Sequence, residues 1–455
     1  MNEGTQKAFI VGGVLVLIAG LLLFMDSPRS QNVVVFAFDG LQAKHLKAYG
    51  YPLDTTPTLD AFLARSTLYT NAVSAAPWTA PSFMSIFTSR YPSEHKLTNK
   101  LVEVVTATTT YVRTATMQAL APGIPTLAEI LKSEGYATAA FTGDAGVKGE
   151  YGYSAGFDEY YDATPFGGFD GSIPRAYEWL KKNKDKKFFL FVHGYNVHGQ
   201  HAPRDGFDYR FVEKPYTGTF TGSPREQGKL REQGLASGPL ALSEQDKAFW
   251  RAVYDEKIAR ADEEFGQFLK DLDELGLKEN TVVVVVSDHG TEFFEHGRVD
   301  HGHTLYGELL NVLFAIHIPG QSGKKVSDLV STIDLAPTVL SLLRIHDPAV
   351  QNMRGVNVLA QNPAHDVYSE TDYRMYTHKR SITTTDGWKF ILTRETNAKE
   401  LYDLNTDPTE QKNLLASESV KAYELEQKLL KHLKEVGDTG PWRLGCLPVY
   451  ADQCK

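Results

Sequence analysis

Three segments of the chain are almost entirely apolar and rich in β-branched or aromatic side chains: Asn32–Phe38, 188–193 and Thr281–Ser287. They lack the polar alternation of a half-exposed strand, which indicates strands buried on both faces of a parallel sheet. Between them, residues 126–134 and 252–275 carry apolar side chains at helical spacing. Because strands alternate with helices, the pattern predicts an α/β fold, a mainly parallel sheet flanked by helices.

The pattern changes twice further along the chain. Residues 199–241 are rich in Gly, Pro, Arg and Glu without periodicity, which predicts a long surface excursion near the mouth of a site. Beyond Ile345, short strands followed by a helix over about 417–436 predict a smaller C-terminal α+β subdomain. The expected antiparallel strands of this subdomain are 380–385, Trp388–Thr393 and 401–402.

The N-terminal region contains a long apolar run. Residues 8–25 are 18 uninterrupted apolar or glycine positions, which as a helix would cover roughly 27 Å, enough for a hydrocarbon core. A buried helix would show a polar face, and this run has none. A cleaved signal peptide is the alternative, but no site of the A-x-A type follows the run. We therefore expect an uncleaved N-terminal membrane anchor within residues 1–31.

The chain has two cysteines, and both lie in its last ten residues. Cys446 and Cys454 are close in sequence, whereas a cytosolic enzyme usually carries thiols throughout its core. A metal pair is the alternative, but no further Cys or His ligand stands near them. We expect a disulfide, and with the anchor it indicates a membrane-anchored, extracytoplasmic protein at the cell surface or in the periplasm.

Composition narrows the function classes. The 455 residues are 42% hydrophobic and 23% charged, which excludes a disordered chain. The formal net charge of −9 argues against a nucleic-acid partner, since phosphate binding needs a basic face. A mean hydropathy of −0.29 excludes a polytopic membrane protein. The oligomeric state is not determined by these features.

Polar side chains follow the three predicted strands directly. Asp39, His193 and the pair Asp288-His289 stand at strand ends, with His198 shortly after, and Thr79 precedes a helix-like stretch. Each has an ordinary interpretation when taken alone, such as a turn, a helix cap or a self-bonded loop. Their joint occurrence favours a metal site with a hydroxyl nucleophile, because buried carboxylates and imidazoles need a partner such as a divalent cation.

The order of motifs resembles the sulfatase family of the alkaline phosphatase superfamily over nearly everything after the anchor. The opening motif includes Phe38-Asp39-Gly40-Leu41 with His45, and the nucleophile signature runs from Thr79-Ala80-Pro81-Ser82 to His95. The second signature comprises Ser287-Asp288-His289-Gly290, Glu295-His296-Gly297 and His301-Gly302-His303. Asp386-Gly387-Trp388-Lys389 and Glu400-Leu401-Tyr402-Asp403 resemble the family's C-terminal subdomain. The resemblance implies a catalytic domain over 32–345 and a C-terminal subdomain with a Cys-containing tail over 346–455.

The chain departs from the family at the nucleophile. Family sulfatases carry Cys or Ser there, which is oxidised to formylglycine, with Arg four residues later; this chain has Thr79 and Phe83. The remaining set is similar to the one-metal sites of phosphoglycerol and phosphoethanolamine transferases. Nucleotide pyrophosphatase/phosphodiesterases also use Thr but add a second metal, and Asn196 stands where an acidic ligand would be needed. A second tightly held ion is therefore not expected.

The resemblance implies a role for each candidate residue. Thr79 is the expected nucleophile, and Asp39, Thr79, Asp288 and His289 would surround one divalent ion, which could be Zn²⁺, Mn²⁺ or Ca²⁺. His193 and His198 would stabilise the transferred group or protonate the leaving oxygen. His301 and His303 would contact non-bridging oxygens or complete the metal shell.

The expected function is cleavage or transfer of a phosphate- or sulfate-ester group on an anionic substrate, through a covalent Thr79 intermediate. Phosphoester or phosphodiester chemistry is favoured, because a threonine ester lacks the exit route of a formylglycine hydrate. One alternative is a sulfuric ester hydrolase acting on sulfated glycans. The other is a catalytically inactive surface protein that binds an anionic polymer.

Overall fold

The computed structural model describes residues 32–99, 101–105, 113–199, 208–375 and 377–438. Its centre is an eight-stranded sheet in the order β12-β2-β11-β8-β1-β7-β5-β6. These strands are β1 (Asn32–Phe38), β2 (Thr67–Val73), β5 (Ala137–Phe141), β6 (Glu159–Tyr161), β7 (Phe188–Gly194), β8 (Thr281–Ser287), β11 (Phe314–His317) and β12 (Lys324–Ser331). Only β11 runs antiparallel to its neighbours, so the predicted, mainly parallel sheet is confirmed.

Both faces of this sheet are buried. In β1, Val34, Phe36 and Phe38 pack into one hydrophobic cluster, while Val33 and Val35 belong to the cluster on the opposite face. This arrangement explains the continuous apolar sequence of the strand, since every side chain contacts one of two helical layers. The helices are α1 (Pro57–Leu63), α2 (Thr79–Thr88), α3 (Pro92–His95), α4 (Leu127–Ser133), α5 (Phe169–Asn183), α6 (Pro224–Ser237), α7 (Glu244–Glu274), α8 (Gly307–Leu310), α9 (Leu335–Leu342) and α10 (Ser419–Glu435).

A four-stranded antiparallel sheet and α10 form the C-terminal subdomain. Its strands, in spatial order, are β13 (Val367–Thr371), β14 (Lys379–Thr383), β15 (Trp388–Thr393) and β16 (Ala398–Asp403). The predicted α+β character is confirmed, and β13 adds a strand that the sequence pattern did not reveal. Two short hairpins complete the described strands: β3 (Leu101–Val105) with β4 (Arg113–Met117), and β9 (Glu292–Phe293) with β10 (Val299–Asp300).

The expected surface excursion at 199–241 contains regular structure. Helix α6 lies inside it and begins with a capping box, in which Ser223 and Glu226 satisfy each other's backbone N–H groups. The sequence of this helix is mostly polar, so it has no apolar periodicity from which a helix could be predicted. Its end capping and the packing of Leu230 and Leu235 stabilise it.

Two expectations fall outside the described residues. The proposed anchor at 8–25 and the proposed disulfide between Cys446 and Cys454 both lie there, and they stay predictions. Within the ranges that the structure covers, none of the helices is long and apolar enough to cross a membrane.

Candidate active site

The polar residues singled out in the sequence meet at the carboxyl-terminal edge of the central sheet. Strand β1 ends directly before Asp39, and the neighbouring β8 ends directly before Asp288 and His289. Strand β7, on the other side of β1, contributes His193. Helix α2 begins at Thr79 beside them. Parallel strands place their carboxyl ends together, which is why residues up to 250 positions apart in sequence form one site.

Three of these residues form a potential metal-binding triad. One ligand atom each of Asp39, Asp288 and His289 lies within 4.8 Å of the others, and all three residues are buried. Asp288 Oδ1 accepts the backbone N–H groups of Gly40 and His289, at 3.1 and 2.9 Å. Among the residues that the structure describes, its Oδ2 has no hydrogen-bond partner, and it lies 3.3 Å from His289 Nε2. Such an unsatisfied carboxylate oxygen is what a bound cation would occupy.

The orientation of His289 and the pKa of Asp288 also fit a bound cation. His289 Nδ1 donates to the carbonyl oxygen of Gly290 at 2.7 Å, and this hydrogen bond orients Nε2 toward the carboxylates of Asp39 and Asp288. Burial and the charge of Asp39 raise the pKa of Asp288 to about 8. Two carboxyl groups and an imidazole nitrogen converge here, and this donor set fits one divalent ion.

Thr79 places its hydroxyl group at the triad. Oγ1 lies 3.5 Å from Asp39 Oδ1 and 3.4 Å from His289 Nε2. As the first residue of α2, Thr79 has no role as a side-chain cap, since the capping position is Trp78. The positive end of the helix dipole also favours a negatively charged oxygen at this position. The hydroxyl therefore faces the triad and does not cap the helix.

A tight turn holds the methyl group of Thr79. A Cβ atom built on Gly146 would lie 2.5 Å from Thr79 Cγ2 and 2.9 Å from Tyr195 Oη, so only glycine fits. The buried Tyr195 fastens this turn: its hydroxyl accepts the Gly146 N–H at 2.7 Å and donates to the Asp144 carbonyl at 3.1 Å. A β-branched side chain has few χ1 states, and this contact selects the one that aims Oγ1 at the triad.

His193 lies behind Asp39 in the sheet. Its Nε2 is 3.1 Å from Asp39 Oδ2, and its Nδ1 accepts the N–H of Gly143 at 3.3 Å. Burial lowers the pKa of His193 to about 3, so the ring is neutral and donates to the carboxylate. Both ring nitrogens are used by the protein itself, and this geometry suits orientation of Asp39. The predicted contact of His193 with the transferred group stays a prediction.

His198 and His301 are buried beside the triad. The His198 Nε2 atom is 3.7 Å from Asp39 Oδ1, and its ring centroid is 4.8 Å from that of His301. The ring of His301 stacks on His289 with centroids 4.4 Å apart. Burial lowers the pKa of His198 well below the usual histidine range.

His301 is oriented by an acidic neighbour. Its Nδ1 contacts Asp300 Oδ1, and Arg231 from α6 reaches within 3.7 Å of Asp300 Oδ2. Burial raises the pKa of Asp300, but His301 and Arg231 outweigh it and hold the pKa below its ordinary value. Asp300 has φ +85°, a strained conformation for a residue with a side chain. The predicted surface excursion thus supplies a charged residue to the site through α6.

His303 contacts the carboxylate of Glu292. Its Nε2 lies 2.7 Å from the buried carboxylate of Glu292, which also accepts the backbone N–H groups of His296 and Arg298. The described structure shows no contact between His303 and the triad. Its predicted role at non-bridging oxygens is not tested by this arrangement and stays a prediction.

Phe83 occupies the position where sulfatases carry arginine. It is fully buried, and its ring packs edge-on against those of His193 and Phe191, with centroids 5.1 and 5.6 Å away. An apolar side chain here supports the neutral state of His193 by excluding water.

Sequence reasoning missed the residues that surround the nucleophile. Gly146, Tyr195 and Asp300 belong to no signature that was singled out. The indole N–H of the buried Trp78, directly before Thr79, has no hydrogen-bond partner within the described part of the chain. Tyr373, from the C-terminal subdomain, packs on Trp78 with ring centroids 5.6 Å apart and lies 6.3 Å from His301. A single glycine, aromatic or acidic residue produces no periodic pattern in the sequence. These positions could therefore not be identified from the sequence.

A mainly parallel sheet with a carboxylate–histidine triad and a helix-borne hydroxyl at its carboxyl edge is the arrangement expected of an ester hydrolase of the alkaline phosphatase superfamily. The sulfatase family model matches residues 31–345. A second model, the C-terminal region of N-sulphoglucosamine sulphohydrolase, matches residues 294–438. The chain belongs to the sulfatase family, and the predicted family and fold are confirmed.

Relatives with curated names support this assignment. The chain is 27% identical to an ulvan-active sulfatase of Formosa agariphila, with 91% of this chain and 83% of the relative aligned. It is 23% identical to a Δ4,5-hexuronate-2-O-sulfatase of Bacteroides thetaiotaomicron, with 87% of each covered. The chain is thus similar to hydrolases that act on ester groups.

Solved structures share the fold. A 2-O GAG sulfatase superposes with a TM-score of 0.70 at 22% identity, covering 90% of this chain and 92% of the other. The phosphonate monoester hydrolase of Agrobacterium radiobacter superposes with a TM-score of 0.68 at 16% identity, covering 89% and 96%. At these identities the comparison establishes the fold and leaves the substrate open.

Proposed function

We propose that this protein is a sulfuric ester hydrolase that acts on sulfated glycans, with Thr79 as its nucleophile. The observation that carries the proposal is the position of the Thr79 hydroxyl, 3.5 Å from Asp39 and 3.4 Å from His289 in a buried triad. Asp39, Asp288 and His289 would hold one divalent ion. Such an ion lowers the pKa of a neighbouring hydroxyl and neutralises charge that develops on the ester oxygens.

The chain's own residues divide the reaction into two displacements at sulfur. Thr79 Oγ1 bonds to sulfur as the bond from sulfur to the sugar oxygen breaks, and its proton moves toward Asp39 Oδ1. The departing sugar oxygen takes a proton from His301, whose ring stacks on His289 and whose Nδ1 contacts Asp300. Water then attacks the sulfur of the threonine sulfate, which releases sulfate and restores the hydroxyl.

The sugar class follows from the relatives. The ulvan-active sulfatase and the hexuronate-2-O-sulfatase align over most of this chain, and both are named for sulfated carbohydrates. A further structural neighbour was solved with D-glucosamine-2-N,6-O-disulfate as its substrate.

Phosphoester cleavage is the second candidate, because of the residues at two positions. Thr79 cannot be oxidised to the formylglycine aldehyde, and Phe83 removes the arginine of that signature. A threonine ester must be resolved by attack at sulfur or phosphorus. The preference for phosphorus drawn from this argument is not supported by the relatives, which favour sulfate.

The experiment that tests the proposal compares substrates on the full chain supplied in turn with Zn²⁺, Mn²⁺ and Ca²⁺. Sulfated uronate and glucosamine oligosaccharides, aryl sulfate, aryl phosphate and an aryl phosphodiester are assayed with wild type, Thr79→Ser and Thr79→Ala. We expect sulfate release that falls at least about 10³-fold in Thr79→Ala and persists partly in Thr79→Ser. Phosphate release without sulfate release would establish the second candidate.

Two further outcomes are informative. Sulfate release that survives in Thr79→Ala would remove the nucleophile from the proposal. Stoichiometric metal binding without turnover of any ester would instead support a binding protein that has lost catalysis.

A further inference from the structure

The amino-terminal edge of the central sheet, opposite the active site, is strongly basic. Register places the starts of β1, β8, β7, β5, β2 and β12 at this edge. The segments that lead into these strands or lie beside them are 64–66, 132–136, 181–187, 275–280 and 317–325. We call these five segments the basic edge. They contain ten Lys or Arg and three Asp or Glu, and the three carboxylates that pair with them, Asp158, Glu178 and Asp273, lower the net charge to +4, in a chain whose total is −9.

The positive charges of the basic edge are largely uncompensated. All ten Lys and Arg residues are exposed. Within the described structure, three of them pair with carboxylates and the other seven make no ion pair. The seven are Arg65, Lys182, Lys184, Lys186, Lys187, Lys324 and Lys325. A face that keeps unpaired cations projects a positive potential into solvent, suited to a polyanionic surface.

The N-terminal end of strand β1 lies at the basic edge, and this position favours a membrane as the polyanionic surface. Asn32 starts β1 at the basic edge, beside Thr281 of β8. The apolar run at 8–25 ends seven residues before it, so an extended connection reaches at most about 25 Å. A chain anchored by this run would hold the basic edge next to the lipid headgroups. Strand β1 is about 20 Å long, so Asp39 would face away from them.

We propose that the basic edge docks on an anionic phospholipid surface and turns the active site toward the surrounding solvent. Lys and Arg near such a surface each contribute about 1 kcal/mol, or about five-fold in affinity, and salt screens the attraction. The N-terminal run supplies attachment, and the basic edge supplies orientation. A soluble polyanion, such as a sulfated polysaccharide, is the alternative occupant and is separated by the test.

The test is lysine footprinting on the full chain reconstituted into vesicles. Acetylation rates, read by mass spectrometry, are compared between phosphatidylcholine vesicles and vesicles that contain 30% phosphatidylglycerol. We expect Lys184, Lys186, Lys187, Lys324 and Lys325 to react several-fold more slowly on the anionic vesicles, with recovery in high salt. Lys44 on the opposite edge and Lys431 in the C-terminal subdomain, with side chains 50% and 79% exposed, serve as internal controls.

A charge-neutralised variant sharpens the test. Replacing Lys184, Lys186 and Lys187 by Gln should weaken the electrostatic contact about 100-fold by the same scale and restore labelling of Lys324 and Lys325. The matched control replaces Lys428, Lys431 and Lys434 in α10 by Gln and should leave protection intact.

Three results would overturn the proposal: equal labelling on both vesicles, no association with either vesicle, or protection by soluble heparin but not by anionic lipid. The last result would assign the basic edge to a polysaccharide. None of these readouts depends on turnover, so they are independent of the proposed sulfatase activity.

Discussion

Gly146→Ala is expected to impair catalysis without unfolding the protein. The added methyl carbon would lie 2.5 Å from Thr79 Cγ2 and 2.6 Å from Thr79 Cβ, whereas carbon atoms settle about 3.5–4.0 Å apart. At least about 1 Å of movement is needed. The turn cannot simply retreat, because Tyr195 holds it through the Gly146 N–H at 2.7 Å and the Asp144 carbonyl at 3.1 Å.

The nucleophile therefore absorbs much of this displacement. A misplacement of 1 Å in a reacting group can cost about 10²-fold in rate, equivalent to about 2.7 kcal/mol in the activation barrier. We expect kcat on the best ester to fall by about this factor, with metal stoichiometry retained because no triad residue is replaced. Gly146 does not have a left-handed φ, so alanine is allowed by the backbone and the effect is steric.

The assay combines steady-state kinetics, metal analysis and thermal unfolding. Gly228→Ala is the matched control, since a Cβ on this helical glycine of α6 meets no atom within 4 Å. We expect the control to retain wild-type kcat and to gain slightly in stability from helix propensity. A Gly146→Ala enzyme with kcat within three-fold of wild type would refute the idea that this turn positions Thr79.

Three other predictions concern the metal, pH and a buried ion pair of the C-terminal subdomain. Asp288→Asn should abolish binding of the divalent ion, measured by elemental analysis, yet raise the melting temperature of the metal-free protein at pH 7, since a carboxylate with a pKa near 8 is removed from beside Asp39. His95 is buried with its pKa lowered to about 3, so the unfolded state takes up its proton first as pH falls from 6.5. This costs up to about 1.4 kcal/mol of unfolding free energy per pH unit, and His95→Asn should show a correspondingly flatter dependence in denaturant titrations. Lys389→Met should lower the free energy of unfolding by about 3–5 kcal/mol in the same titrations, because it leaves the buried Glu410 without the ammonium group 2.7 Å away. The double variant Lys389→Met/Glu410→Gln should recover part of this loss. An unchanged free energy of unfolding in Lys389→Met would contradict the prediction.

The strands that carry the site could be predicted because their signal is local. A strand buried on both faces must be apolar throughout, so Asn32–Phe38 and Thr281–Ser287 were visible without any partner. The polar residue that follows each strand was equally visible, since chain order alone places Asp39 and Asp288 at strand ends. The family signatures added Thr79 and the order of the elements.

Helix α6 and strand β13 could not be predicted in the same way. Helix α6 has a polar sequence, and its stability depends on end capping and on contacts with distant segments. Strand β13 pairs only with β14, and its sequence, VYSET, carries three polar residues because one of its sides packs against catalytic-domain groups such as Ser93. Both elements owe their form to neighbours far away in the chain.

By itself, the sequence determined the parallel sheet, the family and the residues of the triad and of the hydroxyl beside it, because each depends on residue type and order. Only the tertiary structure decided that His193 supports Asp39, that Gly146 and Tyr195 hold Thr79, and that Arg231 reaches Asp300. These contacts join residues separated by about 50 to 150 positions. Their distances depend on how helices and loops pack over the sheet edge, and no periodicity along the chain encodes them.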